Sequence, residues 1–313
     1  MTKPLVSVVT PSYNQISFIG RTIESVINQT YPNVEHVIVD GGSRDGTLEL
    51  LKNYEDKYNM RWISEPDQGQ SQAINKGFRM SEGEIIGWVN SDDTLEPDAA
   101  ERAVNYISIN SNVDWVFGDC LVIDENDQIL FRQTSQKFDL KKLITEKQYI
   151  FQPTVFFNER ILKEIGFIDE RLHFTMDYDF FIRLGLSYQS RYIPHVMASR
   201  RIHSDAKTVK ADVAFEEEAI KTLKKVFKDN RVPKDILSCK NQAFSNRYFR
   251  KGIGHFNKGL YKEARRDLYH AVKVHPELFF SRKGVIGILV ILQSWIKWSI
   301  YQPKGRFDQD SKL

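Results

Sequence analysis

Four short apolar runs set the architecture, because each is followed by a polar loop and the first three loops lead into apolar residues at helical spacing. Leu5 to Thr10 is rich in β-branched residues and is bounded by Pro4 and by Pro11-Ser12-Tyr13-Asn14, which predicts a buried strand. Ile16, Ile19, Ile23, Val26 and Ile27 then repeat with the period of a helix until Tyr31-Pro32-Asn33 stops them. Val34 to Val39 is a second strand. It ends in Asp40-Gly41-Gly42-Ser43-Arg44-Asp45-Gly46, and Thr47 begins a helix carrying Leu48 and Leu51. Met60 to Ser64 predicts a third strand, Glu65-Pro66-Asp67-Gln68-Gly69 a polar loop, and Ala73, Ile74, Gly77 and Phe78 a third helix before the strand from Glu84 to Val89. The alternation βαβαβαβ predicts an α/β fold, a doubly wound and mostly parallel Rossmann-like sheet with helices on both faces and ligand loops along one edge.

The fourth strand runs out into Asn90-Ser91-Asp92-Asp93-Thr94-Leu95, where open α/β sheets bind ligands. Two neighbouring carboxylates repel each other unless something positive lies beside them, and a hard divalent cation with diphosphate oxygens meets that need. A turn leading to a helix opened by Pro97 accounts for the same residues. A dinucleotide-binding domain needs Gly-x-Gly-x-x-Gly after its first strand, but Thr10-Pro11-Ser12-Tyr13-Asn14-Gln15 has no glycine, and the phosphate-loop pattern with its Lys is absent. With 44 Lys and Arg against 41 acidic residues, the net charge of +3 is too even for a nucleic-acid binder driven by counterion release. Cys120 and Cys239 are the only cysteines, so no disulfide framework is indicated, and a reducing compartment is the simpler reading. The N-terminal stretch carries no charged-then-apolar leader, which places the expected location in the cytoplasm.

At this point the residues carry a resemblance. VSVVTPSYNQ (6–15), VIVDGGSRDGT (37–47), GEIIGWVNSDD (83–93), FQPTVFFNERI (151–161) and MDYDFFIRL (176–184) follow in order the pattern of the family 2 glycosyltransferases with the GT-A fold. The resemblance covers roughly residues 4 to 207. It implies a nucleotide-diphosphate sugar donor, a divalent cation (Mg²⁺ or Mn²⁺) and inversion at the anomeric carbon. Asp40 resembles the carboxylate that accepts hydrogen bonds from the base, with Pro11 and Tyr13 lining the base and ribose pocket. Asp92 and Asp93 resemble the metal and ribose ligands. Asn90 stands where an Asp is frequent, which leaves open which of the two following carboxylates touches the metal.

Beyond the fourth strand, Ala100, Ala103, Val104 and Ile107 predict a helix, Val113 to Phe117 a strand ending at Gly118-Asp119, Ile129 to Arg132 a strand beside it, Gln152 to Phe157 a further strand and Arg160 to Gly166 a short helix. In the family this region faces the acceptor, and Gln152 is a weak candidate there. Asp177 resembles the family's base: an inverting transfer is one in-line displacement, and one carboxylate must take the acceptor's proton. An Asp near a helix start is also a routine cap, and Asp179 lies in the same turn. In Ser199-Arg200-Arg201-Ile202-His203, followed by Lys207, an imidazole among cationic residues suits a metal and diphosphate, with His203 as ligand and Arg201 and Lys207 as weaker partners of the leaving group. The other histidines read as structural.

The expected catalytic domain is 1–208, and 209–313 is expected to be helical. Gly252, Phe256, Gly259, Tyr261, Ala264, Leu268, Ala271 and Pro276 resemble one tetratricopeptide-like helix pair, too little for a solenoid. Gly284 to Leu292 has no polar side chain, and Trp295, Trp298 and Tyr301 follow. That is short for a membrane span, so 284–301 reads either as an amphipathic helix on an anionic membrane surface or as a helix closing the core. The sequence thus predicts an inverting transferase building cell-envelope polysaccharide or glycoconjugate, cytoplasmic or peripheral at the inner face of the membrane, with a glycan or lipid-linked acceptor. A nucleotide-sugar-binding protein without transferase activity and a helical scaffold are the rivals.

Overall fold

A computed structural model describes residues 3–109, 112–146, 150–204 and 212–301; Lys207 lies outside them. The chain divides into two compact units, 1–210 with 229–232, and 211–228 with 233–313.

In the first unit, β1 (Val6–Ser12) is buried along its whole length between two parallel partners, β2 (Val34–Asp40) and β4 (Ile85–Trp88). The strand β3 (Met60–Ser64) pairs parallel with β2. Register brings Ser12, Asp40 and Ser64 side by side at the carboxyl edge, so the three loops that follow begin at one level. Alternation along the strands sends neighbouring side chains to opposite faces. Ile38 packs with Ile19 and Ile23 of α1 (Ile19–Ile27) and Leu51 of α2 (Thr47–Tyr54). On the other face a Cβ added to Gly77 of α3 (Gln70–Met80) would lie 2.3 Å from Val9 Cγ1. Only glycine lets α3 sit that low on β1.

The sheet continues as a mixed one in the order β3-β2-β1-β4-β8-β6-β9-β5. Here β5 is Thr94–Leu95, β6 Trp115–Ile123, β8 Phe156–Asn158 and β9 Ser190–Arg201; β7 (Ile129–Gln133) pairs with β6, and α4 (Ala99–Ile109) joins β5 to β6. Two expectations are corrected. Gln152 to Phe157 is not one strand: Gln152–Thr154 forms a 3-10 turn and β8 starts at Phe156. Pro153 has no N–H for a ladder, and Thr154 Oγ1 donates instead to Phe151 O at 2.7 Å. Nor does β6 end at Gly118-Asp119. Asp119 is buried in mid-strand because Arg132, the Ser135 amide and the Tyr192 hydroxyl all donate to its carboxylate. The rest of this unit comprises α5 (Leu140–Thr145), α6 (Arg160–Ile165) and α7 (Met176–Ser187).

The second unit contains α8 (Asp212–Val226), α9 (Lys234–Ser238), α10 (Lys240–Asn257), α11 (Tyr261–Val274) and α12 (Arg282–Tyr301). The helices α10 and α11 form an antiparallel pair around Phe249, Leu268 and Ala271, onto which α12 packs Val290 and Ile291. Among the described residues no helix is long and apolar enough to cross a membrane.

Candidate active site

The loop after β2 is built around Asp40, which is fully buried. Its Oδ2 accepts from the amides of Gly42 (2.9 Å) and Ser43 (2.8 Å) and from Ser64 Oγ (2.7 Å), and its Oδ1 accepts from Ser43 Oγ. The carboxylate therefore holds its own turn and ties it to the end of β3. The loop after β1 is stitched to the same turn, since the Asn14 amide donates to Ser43 Oγ at 2.7 Å and the Arg44 amide to Asn14 Oδ1 at 3.0 Å. Tyr13 is 61% exposed on top of this framework. A Cβ on Gly41 would meet Asp67 Oδ2 at 2.7 Å and Tyr13 Cδ2 at 3.3 Å, so Gly41 sits between an aromatic ring and a carboxylate. Pro11 is different: it is buried within β1 opposite Val39 and is not exposed beside Tyr13 as a pocket wall.

The two acidic neighbours after β4 have opposite fates. Asp93 is 3% exposed; its Oδ1 accepts from the Arg201 amide at 2.9 Å and its Oδ2 from Asn90 Nδ2 at 3.3 Å. Burial, and then the charge of Asp92, push its pKa well above the usual carboxylate range. Asp92 turns outward, with its side chain 22% exposed and its Oδ2 3.1 Å from His203 Nε2. The His203 ring packs on Phe18 with centroids 4.7 Å apart. Of the residues expected at the metal, the structure thus pairs Asp92 with His203 and withdraws Asp93 into the protein.

No group of three or more His, Cys, Asp or Glu converges as a ready-made metal cage among the described residues. The pair still fits a divalent cation. One carboxylate oxygen and one imidazole nitrogen suit Mn²⁺ or Mg²⁺ when phosphate oxygens and water complete the shell.

Arg201 also departs from expectation. Its side chain is fully buried; Nε donates to Asp92 O (2.9 Å), Nη1 to Asp124 O (2.8 Å), and Nη2 lies 2.6 Å from Asp127 Oδ1. Fully buried, it braces the loop after β4 against the β6–β7 turn, and its fork is not open to a diphosphate. Gln152 sits nearby, where its Nε2 donates to Trp88 O while its buried Oε1 has no hydrogen-bond partner.

On α7 a second acidic pair divides in the same manner. Asp179 is buried against Arg183 (Nε to Oδ2, 2.8 Å), and that guanidinium also donates to the carbonyls of Ile165, Gly166 and Phe167. Asp177 keeps part of its surface open and accepts from the Tyr178 amide at 2.7 Å. Burial raises its pKa to about 6, which leaves it mostly ionised but basic at neutral pH.

Residues that the pattern alone did not single out complete the site. Asp67 flanks Gly41, and Gln70 donates to Asn90 Oδ1 at 2.8 Å, as does Trp88 Nε1 at 3.1 Å. The signal available for Asp67 was its place in the polar loop after the third strand.

The mixed sheet, with an acidic loop at the carboxyl edge of its parallel half, has the fold of the GT-A glycosyltransferases. The chain belongs to glycosyl transferase family 2, whose profile matches residues 7–166. It is 30% identical over 213 residues to a glycosyltransferase of Rickettsia typhi, covering 66% of each chain. It is 28% identical over 208 residues to the chondroitin synthase of Escherichia coli, covering 66% of this chain and 30% of that one. The chain thus spans two thirds or less of the length of these curated relatives. Among solved structures, S. aureus TarS 1–349 in complex with UDP-GlcNAc superposes with a TM-score of 0.67 at 18% identity, covering 97% of this chain and 94% of that one. A mannosyltransferase from Pyrobaculum calidifontis in complex with GDP-Man and Mn²⁺ gives 0.61 at 16%, covering 97% and 82%.

The two carboxylates after β4 should separate in a denaturation experiment. Asp93→Ala leaves the buried Arg201 amide without its acceptor and should cost about 1–3 kcal/mol. Asp92→Ala, at the surface of the cleft, should stay within about 0.5 kcal/mol of the parent. Equal urea midpoints for the two variants would contradict this division.

Proposed function

We propose that the chain is an inverting glycosyltransferase that moves a sugar from a nucleoside-diphosphate sugar to a hydroxyl acceptor, with Asp177 as general base. The observation that carries this reading is the contrast on α7: Asp179 is neutralised by Arg183, whereas Asp177 has a raised pKa and an open side. The acceptor hydroxyl passes its proton to Asp177 as its oxygen attacks the anomeric carbon, and the nucleoside diphosphate departs from the opposite face. Tyr13 supplies a stacking surface for the base, and Asp67 beside Gly41 supplies an acceptor for its N–H groups. Asp40 contributes chiefly by fixing that turn, and the fixed turn keeps the surface for the base in place before the donor arrives. Asp92 and His203 would hold a divalent cation, which when bound offsets the charge developing on the diphosphate. The complexes of the two superposed neighbours with UDP-GlcNAc and with GDP-Man and Mn²⁺ support a donor and metal of these classes.

The acceptor is proposed to be a glycan or lipid-linked acceptor of the cell envelope, reached from the membrane surface. Val285, Leu289 and Leu292 recur on one stripe of α12 and are 56%, 53% and 54% exposed, and Phe280 at its approach is 89% exposed. Arg282 stands exposed at the same end, which suits an apolar stripe resting on anionic headgroups.

Asp177→Asn should lower kcat by about 10²–10⁴ while UDP or GDP binding, followed by calorimetry, is kept. In the parent, kcat/KM should fall about tenfold per pH unit below pH 6, because the base is raised to about 6 and must be ionised, and this limb should vanish in the variant. Loss of nucleotide binding in Asp177→Asn would make the residue structural.

EDTA and Asp92→Ala should each abolish the Mn²⁺-dependent part of nucleotide binding. A variant that binds as tightly as the parent in Mn²⁺ would remove Asp92 from the metal site.

Leu289→Glu with Leu292→Glu should prevent flotation with vesicles containing anionic phospholipid while leaving transfer to a soluble acceptor unchanged. Flotation of the doubly substituted protein, or none of the parent, would refute the membrane reading.

A further inference from the structure

The donor side and the base side of the cleft come from segments about eighty residues apart in sequence, and a single helix reaches both. At the start of α3, Gln70 Nε2 donates to Asn90 Oδ1 at 2.8 Å, and Asn90 passes the contact on to Asp93 through Nδ2 at 3.3 Å. One residue on, the buried Ser71 Oγ donates to Leu172 O at 2.6 Å. One turn further, the side chain of Asn75, only 1% exposed, behaves as a strand partner for Ile168: Nδ2 donates to Ile168 O at 2.9 Å and Oδ1 accepts from the Ile168 amide at 3.0 Å. The same Nδ2 reaches Glu170 Oε1 at 2.8 Å. Residues 168–172 lead straight into α7, whose second residue is Asp177.

The helix itself is packed closely onto the sheet. Gly77 seats it against Val9 of the central strand, and Ala73, Ile74 and Phe78 are buried with it. A rigid element bonded to two catalytic segments fixes the distance between them, as positioning residues do in other enzymes. We infer that Gln70, Ser71 and Asn75 form a bracket on α3 that sets the separation between the Asp92 loop and the Asp177 base, with Gln70 governing the donor side and Ser71 and Asn75 the base side.

This rests on the transferase reading, and the test separates the two. Asn75→Ala strips partners from two buried backbone groups and is the harder change for folding, so Ser71→Ala, which removes one hydroxyl, carries the experiment, with Gln70→Ala as its counterpart. Steady-state kinetics with UDP-GlcNAc and GDP-mannose, calorimetry with UDP and GDP in Mn²⁺, and hydrogen exchange are measured on the full chain. In Ser71→Ala, kcat should fall on the order of ten- to a hundredfold, as small misplacements of a catalytic group do, with donor KM and nucleotide stoichiometry unchanged. Amides of 168–175 should exchange faster while those of 90–95 do not. Gln70→Ala should show the converse: faster exchange at 90–95 and a higher donor KM. A merely structural role would lower kcat and binding stoichiometry together. Unaltered exchange in both variants, or exchange that quickens equally in both segments, overturns the bracket whatever the kinetics show. A parent that binds neither nucleotide and transfers neither sugar overturns the transferase reading instead, and the exchange data then still decide whether α3 holds the two segments independently.

Discussion

The carboxyl edge of the sheet depends on the buried hydrogen bond between the Arg201 amide and Asp93 Oδ1. It joins the loop after β4 to the end of β9, strands whose residues lie more than a hundred positions apart. Two adjacent carboxylates cannot both lie in a medium of low polarity without a strong rise in free energy. The fold resolves this by turning Asp93 inward, where backbone and amide donors meet it, and Asp92 outward toward His203. The two residues after Asp93 then pair with β9 as β5, with Thr94 opposite Ser199 and Leu95 opposite Ala198. The outward carboxylate is therefore held by a strand pairing that begins next to it. The backbone carbonyl of Asp92 is fixed as well, by Arg201 Nε.

The same division appears on α7. Asp179 and Arg183 form a buried pair whose guanidinium also closes the carbonyls at the end of α6, so the acid serves packing and chain direction. Burial raises the pKa of Asp177, and among the described residues no cation pairs with it. A carboxylate next to a cation would be a weaker base; one surrounded by protein without a counter-ion is a stronger one. In both acidic pairs one member is held inside by hydrogen bonds or an ion pair while its neighbour keeps part of its surface open.

The parallel half of the fold was legible in the sequence because its signals are local. Apolar runs, loop residues and helical spacing all lie within a few residues of one another, and β1 to β4 and α1 to α4 fall where those patterns predict them. The later elements were less legible because their causes are distant. Asp119 looks like a strand end until Arg132 and Tyr192 are seen to neutralise it from neighbouring strands. Arg201 beside His203 looks like an anion site, yet its partners are 77 and 109 residues upstream, and no window of sequence shows them. Gln152-Pro153-Thr154 was misread for a local reason, since β-branched and aromatic neighbours outweighed the missing N–H of Pro153. Which of Asp92 and Asp93 is drawn into the protein was not legible for a similar reason: the answer depends on the Arg201 amide at the end of β9.

The helical unit shows how a single repeat-like pair becomes stable. An isolated α10–α11 pair would leave the face that a neighbouring repeat normally covers open to water. Here Gly252 lets Leu268 approach closely, and α12 covers the remaining apolar surface with Val290 and Ile291 while Gly287 admits the Phe249 ring. The position of a second repeat is thus taken by α12. What stays exposed is the opposite stripe of α12, through Val285, Leu289 and Leu292, at a helical spacing that no further helix of the unit satisfies among the described residues. A peptide-binding array would show the reverse, an inner face left free between stacked pairs. The distribution of buried and exposed apolar residues is therefore not that of a peptide-binding array.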